Sequence, residues 1–566
     1  MSEGTKSNSI PNSITGRSAF LALLKDEGVT KLFGNPGTTE LPIMHAMTEQ
    51  TDIGYVLGLQ ESIVVGMADG YARASGKIAA VNVHVAPGLG NAMGALYTAN
   101  FSGSPLIITA GQQEQGHGLM EPLLYAPLVP IAAPMVKWAV EVTRIEDLPR
   151  IMRRAAKVAL TPPTGPVFIS LPGDILNMEA AIDMGESTRV NTAMRPSDAG
   201  LEQLAARLLQ AQNPVIIAGH EIIASDAFEE ADQFAEMLGA PVYQQTVNDG
   251  AHFPSEHPAF MGSLNRDQEN VRGKLAPHDL VICLGADLLR MSVYSPVDPL
   301  PNDLAVIQIG QRDWEMGKNH PVEMALRADV KETVAALLPV LAARGGQNLK
   351  DRAQASMDDL STRNWTVQRA QAKADVAKMA DASPIDRDWL MSSLVDLLPR
   401  DGIVVDEGLT SARSLLKFLA IRDRYSYFGN ASGGIGWGIA AALGIQIAHP
   451  DRRVVAILGD GSSMYSIQAL WTAAHLKLPI TFVIANNGGY RIIKERLLAF
   501  HGNDTFIAMD FKDPSIEFAD LARSLGVKAE RIETAGAFET AFQAADKRDG
   551  PVLLEVMVDG GETKRD

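Results

Sequence analysis

The sequence predicts an α/β protein of three doubly wound, mainly parallel-sheet domains. Three observations predict it. Short apolar runs of strand length alternate with glycine-rich turns and amphipathic helical stretches, the pattern of parallel α/β sheets. That alternation returns at the scale of a whole domain, with no short solenoid-type period. The chain has 566 residues, and at roughly 100–200 residues per domain it has room for about three such units.

A polar stretch at 1–13 is expected to be a disordered tail. The first unit runs over 14–190, with strands expected at 31–33, 79–83, 106–109 and 166–170. A polar connection leads to a middle unit at 195–345, with strands at 214–218, 280–284 and 305–309. Residues 346–383 are polar, charged and mostly helix-forming, as a long linker would be. The third unit, 384–560, has strands at 403–405, 454–458, 480–484 and 552–556.

Composition excludes several function classes. Fifty basic residues against 67 acidic ones leave a formal charge of −17 and no basic patch, so no nucleic-acid partner is expected. The single cysteine, Cys283, lies in an apolar run and reads as a buried structural thiol; one thiol makes neither an intrachain disulfide nor a CxxC metal site. No apolar run reaches the roughly 18 residues of a membrane span, and the first residues lack a signal-peptide core. A cytoplasmic protein with no membrane partner is expected.

The chemistry concentrates in two loops of the third unit. The strand at 454–458 runs into Gly459-Asp460-Gly461-Ser462-Ser463 and then a helix at 467–476. The next strand ends in Asn486-Asn487-Gly488-Gly489-Tyr490. Ligands of open α/β sheets sit at the carboxyl ends of strands. Asp460 offers a carboxylate and Asn487 a side-chain carbonyl, hard oxygen donors suited to Mg²⁺. Glycines 459 and 461 allow close backbone approach to a diphosphate, and a helix N-terminus adds N–H donors. A lone Gly-Asp-Gly is usually a tight turn; the paired loops are not.

This pair of loops resembles the diphosphate signature of the thiamine-diphosphate-dependent enzymes of 2-oxo acid decarboxylase and acetolactate synthase type. Residues 459–474 look most like the benzoylformate decarboxylase branch, and the similarity extends over nearly the whole chain. The resemblance implies a pyrimidine-binding first domain, a mainly architectural middle domain, and a third domain holding diphosphate and metal. It implies thiamine diphosphate and Mg²⁺ as cofactors, with Asp460, Asn487 and Gly489 as metal ligands. Pro36, Asn91, Thr410, Gly434, Gly459, Gly461, Ser462 and Tyr490 would line the cofactor, and Ile435 would wedge it into a bent shape. Glu61, in Leu59-Gln60-Glu61-Ser62-Ile63, matches the carboxylate that bonds N1′ of the aminopyrimidine; it should open a helix with Ile63, Val64 and Met67 on its apolar face and lie in a desolvated site. By the same resemblance each site is completed by a partner chain, which makes the protein at least a homodimer and usually a homotetramer.

On the substrate side, Thr38 stands where the family places a serine hydroxyl, and His84 matches its first active-site histidine. Ser292 falls where the family has its second histidine, and a neutral serine is no acid or base at pH 7. Ile492, Ile493 and Arg496 replace an apolar and aromatic stretch; Arg496 is either solvated or an anion clamp on a small-molecule substrate. The reading that follows is non-oxidative decarboxylation of a 2-oxo acid to an aldehyde. Its alternatives are a carboligase or lyase acting on 2-hydroxyketones or 2-hydroxyacyl compounds, and a non-catalytic homologue. FAD binding by the middle domain stays open.

Overall fold

The computed structural model describes residues 13–559 apart from Arg548. Of the expected tail only Ser13 falls within the described residues; it opens a short strand, Ser13–Thr15, paired antiparallel with Glu179–Ala181. The remaining described strands form three six-stranded sheets, each parallel throughout. Their central strands are buried end to end, as strands covered on both faces must be.

Contacts divide the chain into two compact units: the described residues up to Asn191 with Ser432–His449, and Thr192–Ala431 with the residues from Pro450 on. In the first unit the strands lie in the order Gly54–Leu57, Lys31–Gly34, Ala79–Val83, Leu106–Gln112, Val167–Pro172, Ala139–Glu141. The chain leaves Lys31–Gly34 toward one edge and returns on its other side, so the switch point lies between Lys31–Gly34 and Ala79–Val83. Ligands of such sheets bind at that crevice. Helix Glu61–Ser75 buries Ile63, Val64 and Met67 as expected, and helix Trp437–Ala448 packs on it. Small residues allow the approach: a Cβ at Gly444 would stand 1.9 Å from the Met67 carbonyl oxygen. The Trp437 indole donates to Asp69 at 2.5 Å and fixes the register.

The second unit contains two sheets. One has the order Phe260–Ser263, Val242–Gln244, Pro214–Ala218, Leu280–Leu284, Ala305–Gly310, Met324–Arg327, with Cys283 fully buried. The other has the order Tyr427–Gly429, Ile403–Glu407, Val454–Gly459, Ile480–Asn486, Val552–Met557, Lys528–Ile532. This last order repeats the topology of the first unit's sheet, and its switch point lies between Ile403–Glu407 and Val454–Gly459. The stretch expected as a linker is helical: Val330–Ser361, broken at Gly346 with φ 52°, then Trp365–Val376 with Trp365 buried. The helix expected at 467–476 is found as Ala469–His475, and the loop before it makes a short helical turn of its own, Asp460–Ser463.

Candidate active site

His84 ends the strand Ala79–Val83 and caps helix Val85–Ser102. Its Nδ1 lies 2.8 Å from Glu40 Oε2 and 3.1 Å from Thr39 Oγ1. Glu40 is fully buried. Its Oε1 accepts from Thr39 Oγ1 at 2.7 Å and from the Gly111 amide at 2.9 Å, and its Oε2 also accepts from the Gly37 amide at 2.9 Å. The sequence reading did not single out Glu40 or Thr39. The available signal was the Gly37-to-Glu40 spacing, which is that of a capping box. Thr38, expected to supply the hydroxyl, is exposed at the start of the 3₁₀ turn Thr38–Glu40, and it is Thr39 that bonds the imidazole. Pro36 is exposed beside it.

Glu61 opens its helix behind a Gln60 cap, whose Oε1 accepts from the Ser62 amide at 2.6 Å. Only 7% of Glu61 is exposed. Asn91 Nδ2 donates to its Oε2 at 3.1 Å, while Oε1 accepts no hydrogen bond among the described residues. A Cβ at Gly88 would stand 2.9 Å from that free oxygen, so glycine keeps its face open. The structure thus brings together Glu61 and Asn91. Gly434 donates its amide to Ser432 at 3.0 Å, and Ile435 follows, half-buried, before Gly436 turns the chain into helix Trp437–Ala448.

In the second unit Asp460 is buried in the first turn after strand Val454–Gly459. Its Oδ1 accepts from the Gly461 amide at 2.6 Å, and its Oδ2 from the Asn487 and Gly489 amides at 3.1 Å each. Burial nonetheless holds its carboxyl above the usual range, against those donors. One carboxylate therefore ties the two predicted loops together. The Asn487 side chain makes no hydrogen bond among the described residues. Ser462 Oγ donates to the Gly459 carbonyl at 3.1 Å and reaches that of Glu407 at 3.3 Å, across the switch point. Thr410 is buried, following Leu409 at φ 49°. Gly461 faces the Tyr490 ring, which a Cβ would meet at 2.7 Å.

Helix Arg491–His501 continues from this turn. Ile492 is half-buried, and Ile493 and Arg496 are exposed. Ser292 is exposed in an irregular segment of the middle domain.

The donor set fits a Mg²⁺-bound diphosphate. Among the described residues no cluster of three or more His, Cys, Asp and Glu side chains could hold a metal. The Asp460 site instead offers one buried carboxylate, an unbonded amide oxygen and backbone carbonyls, hard donors that leave coordination positions to phosphate. A buried carboxylate whose ionisation is penalised by burial is what a cation would relieve.

Models of the thiamine pyrophosphate enzymes match residues 14–122 (N-terminal TPP binding domain), 201–337 (central domain) and 410–556 (C-terminal TPP binding domain). Benzoylformate decarboxylase of Pseudomonas aeruginosa is 34% identical over 96% of this chain and 98% of its own. The acetolactate synthase large subunit of Haemophilus influenzae is 27% identical over 97% and 95%. Among solved structures, a thiamine diphosphate-dependent 4-hydroxybenzoylformate decarboxylase of Rhodococcus jostii superposes with a TM-score of 0.83 at 32% identity, covering 97% of this chain and 100% of that one. The buried Glu61, the Asp460 loops and these matches across the whole length establish that the chain belongs to the thiamine-diphosphate-dependent enzymes.

Proposed function

We propose that this protein is a thiamine-diphosphate- and Mg²⁺-dependent decarboxylase that converts a 2-oxo acid to an aldehyde and CO₂. The observation that most favours it is Glu61: buried, held on one oxygen by Asn91 and open on the other. When bound, the cofactor supplies an electron sink for breaking the carboxyl bond. Glu61 would anchor the aminopyrimidine and hold a proton at its free oxygen. Asp460, the Asn487 side-chain oxygen and the Gly489 carbonyl would hold the metal. Gly459, Gly461, Ser462, Thr410 and Tyr490 would line the diphosphate, with Pro36, Gly434 and Ile435 nearer the rings. His84, with Glu40 on Nδ1, keeps Nε2 to hold or pass a proton at the substrate.

CO₂ release from a panel of aryl, branched, linear and dicarboxylic 2-oxo acids tests the reading. Glu61→Gln should cut turnover by about 10²–10⁴-fold without unfolding the chain; release from no member of the panel overturns the reading. A second reading, carboligation or cleavage of a 2-hydroxyketone or 2-hydroxyacyl compound, is favoured by Ser292, which cannot act as an acid or base. Product assays with and without an acceptor aldehyde separate the two. The proposal includes a cytoplasmic protein working as at least a homodimer, with a homotetramer expected.

A further inference from the structure

The middle sheet has a switch point that the proposed chemistry does not use. It lies between Pro214–Ala218 and Leu280–Leu284, from which the chain continues toward opposite edges. In an open parallel sheet such a crevice is where the phosphates of a nucleotide lie, against glycines and main-chain amides. Here the loops on its two sides touch. The Gly219 amide donates to the Leu284 carbonyl at 3.0 Å, and the Glu221 amide to that of Gly285 at 3.0 Å. A Cβ at Gly219 would stand 2.3 Å from the Ala286 Cα.

The Glu221 side chain runs across these strand ends. It starts after Pro214–Ala218, passes the end of Leu280–Leu284 and reaches the end of Ala305–Gly310. A Cβ at Gly285 would stand 2.8 Å from Glu221 Cβ, and one at Gly310 would stand 2.8 Å from its Oε2. There Oε2 accepts from the Gln311 amide at 2.5 Å and Oε1 from the Arg312 amide at 3.3 Å. Adjacent strand-end amides of this kind are the donors a phosphate oxygen takes. The charged side chains of the same loops are paired with one another. Asp287 takes Arg290 at 2.9 Å and Arg312 at 3.4 Å, and Glu315 takes Arg290 at 2.9 Å and Lys318 at 2.6 Å. Arg312 also lies 3.0 Å from His220 Nε2.

An acceptor carried by the chain itself competes for those amides at an effective concentration of about millimolar or more. An incoming phosphate would have to expel it and would find the nearby guanidiniums already engaged. We propose that the crevice of the middle domain is an anion site occupied by this chain's own Glu221. It is thereby closed to nucleotide phosphates, those of FAD included, and is latent for a small carboxylate or phosphate once that side chain is removed. This holds whichever reaction the thiamine-diphosphate site carries.

The test uses protein saturated with thiamine diphosphate and Mg²⁺, so that added nucleotides do not report on the cofactor site. It is run at about pH 8, above the value of about 7 to which burial raises the Glu221 carboxyl. Wild type should retain no flavin absorbance after gel filtration with FAD, and calorimetry should detect no ADP binding tighter than about 1 mM. Stoichiometric FAD or ADP on wild type overturns the closure. Glu221→Ala frees the Gln311 and Arg312 amides and should lower the midpoint of thermal unfolding. Sodium acetate or phosphate at about 0.1 M should return roughly half or more of that loss, relative to chloride at equal ionic strength. Wild type and Glu221→Gln, whose crevice stays filled, measure the general stabilisation such salts give. A response of Glu221→Ala no larger than theirs overturns the latent site. Should Glu221→Ala fold in none of these salts, Gly310→Ala decides, because its Cβ must push the carboxylate off its amides. A clear fall in midpoint sustains the occupancy, and a midpoint within about a degree of wild type overturns it.

Discussion

Glu40 divides its two buried carboxylate oxygens among His84, Thr39 and the amides of Gly37 and Gly111. A carboxylate on Nδ1 fixes the ring's orientation and leaves Nε2 as the working atom. Glu40→Gln is therefore expected to lower kcat by about 10²-fold while changing KM little. Gly37→Ala should reproduce that loss from the other side, because its Cβ would stand 2.1 Å from His84 Nδ1. Steady-state kinetics on both variants check this, and a KM effect without a kcat effect contradicts it. Glu221, at the middle sheet's switch point, behaves differently. Burial pushes its carboxyl up to about 7 from 4.5, although the Gln311 and Arg312 amides donate to it at 2.5 and 3.3 Å. Between those pH values the folded chain keeps a proton that the unfolded chain has lost, so stability falls as pH rises through that window, by up to about 3 kcal/mol. Urea unfolding across that range should show the decline in wild type and a flatter profile in Glu221→Gln; parallel profiles would refute it.

Helices Glu61–Ser75 and Trp437–Ala448 meet through Gly66, Gly70 and Gly444. Gly444→Ala must move one helix off the Met67 carbonyl and should cost at least the ~1–3 kcal/mol of an overpacked core; a thermal melt within a degree of wild type would contradict that. This contact also marks where the sequence stops being informative. The long apolar strands were legible because burial on both faces demands continuous apolar runs. Edge strands were not: Lys528–Ile532 exposes most of its residues and Ala139–Glu141 is short and half-buried, so neither carries such a run. Gly444 lies in the apolar, glycine-rich stretch 433–448, but the helix that its missing Cβ lets approach lies hundreds of residues earlier. The site divides the same way. Asp460, Asn487, Glu61, Asn91 and His84 were legible because each sits in a local motif at a strand end or helix start. Glu40 escaped because its significance lies in a partner distant in sequence, His84.

Across the whole molecule the proposed chemistry needs residues from both compact units, Glu61 from the first and Asp460 from the second. The family resemblance assigns those halves of a site to different copies of the chain. Leu119, Met120 and Leu123 are strongly exposed on the first unit. Among the described residues no helix is long and apolar enough to cross a membrane. Complementation makes the assignment measurable. Glu61→Gln and Asp460→Ala homo-oligomers should each be nearly inactive, the second losing cofactor affinity and its response to Mg²⁺ rather than its fold. Unfolded together and refolded as a mixture, half of the resulting dimers would be hybrids. In each hybrid one site combines both mutations and the other combines neither, so random pairing should restore about a quarter of wild-type activity. A site completed within a single chain would keep one defect in every copy and regain nothing. The recovered fraction, measured against the mixing ratio with assembly followed by sedimentation, distinguishes the two arrangements: a peak at equal amounts of the two variants supports shared sites, and a flat baseline assigns each site to one chain.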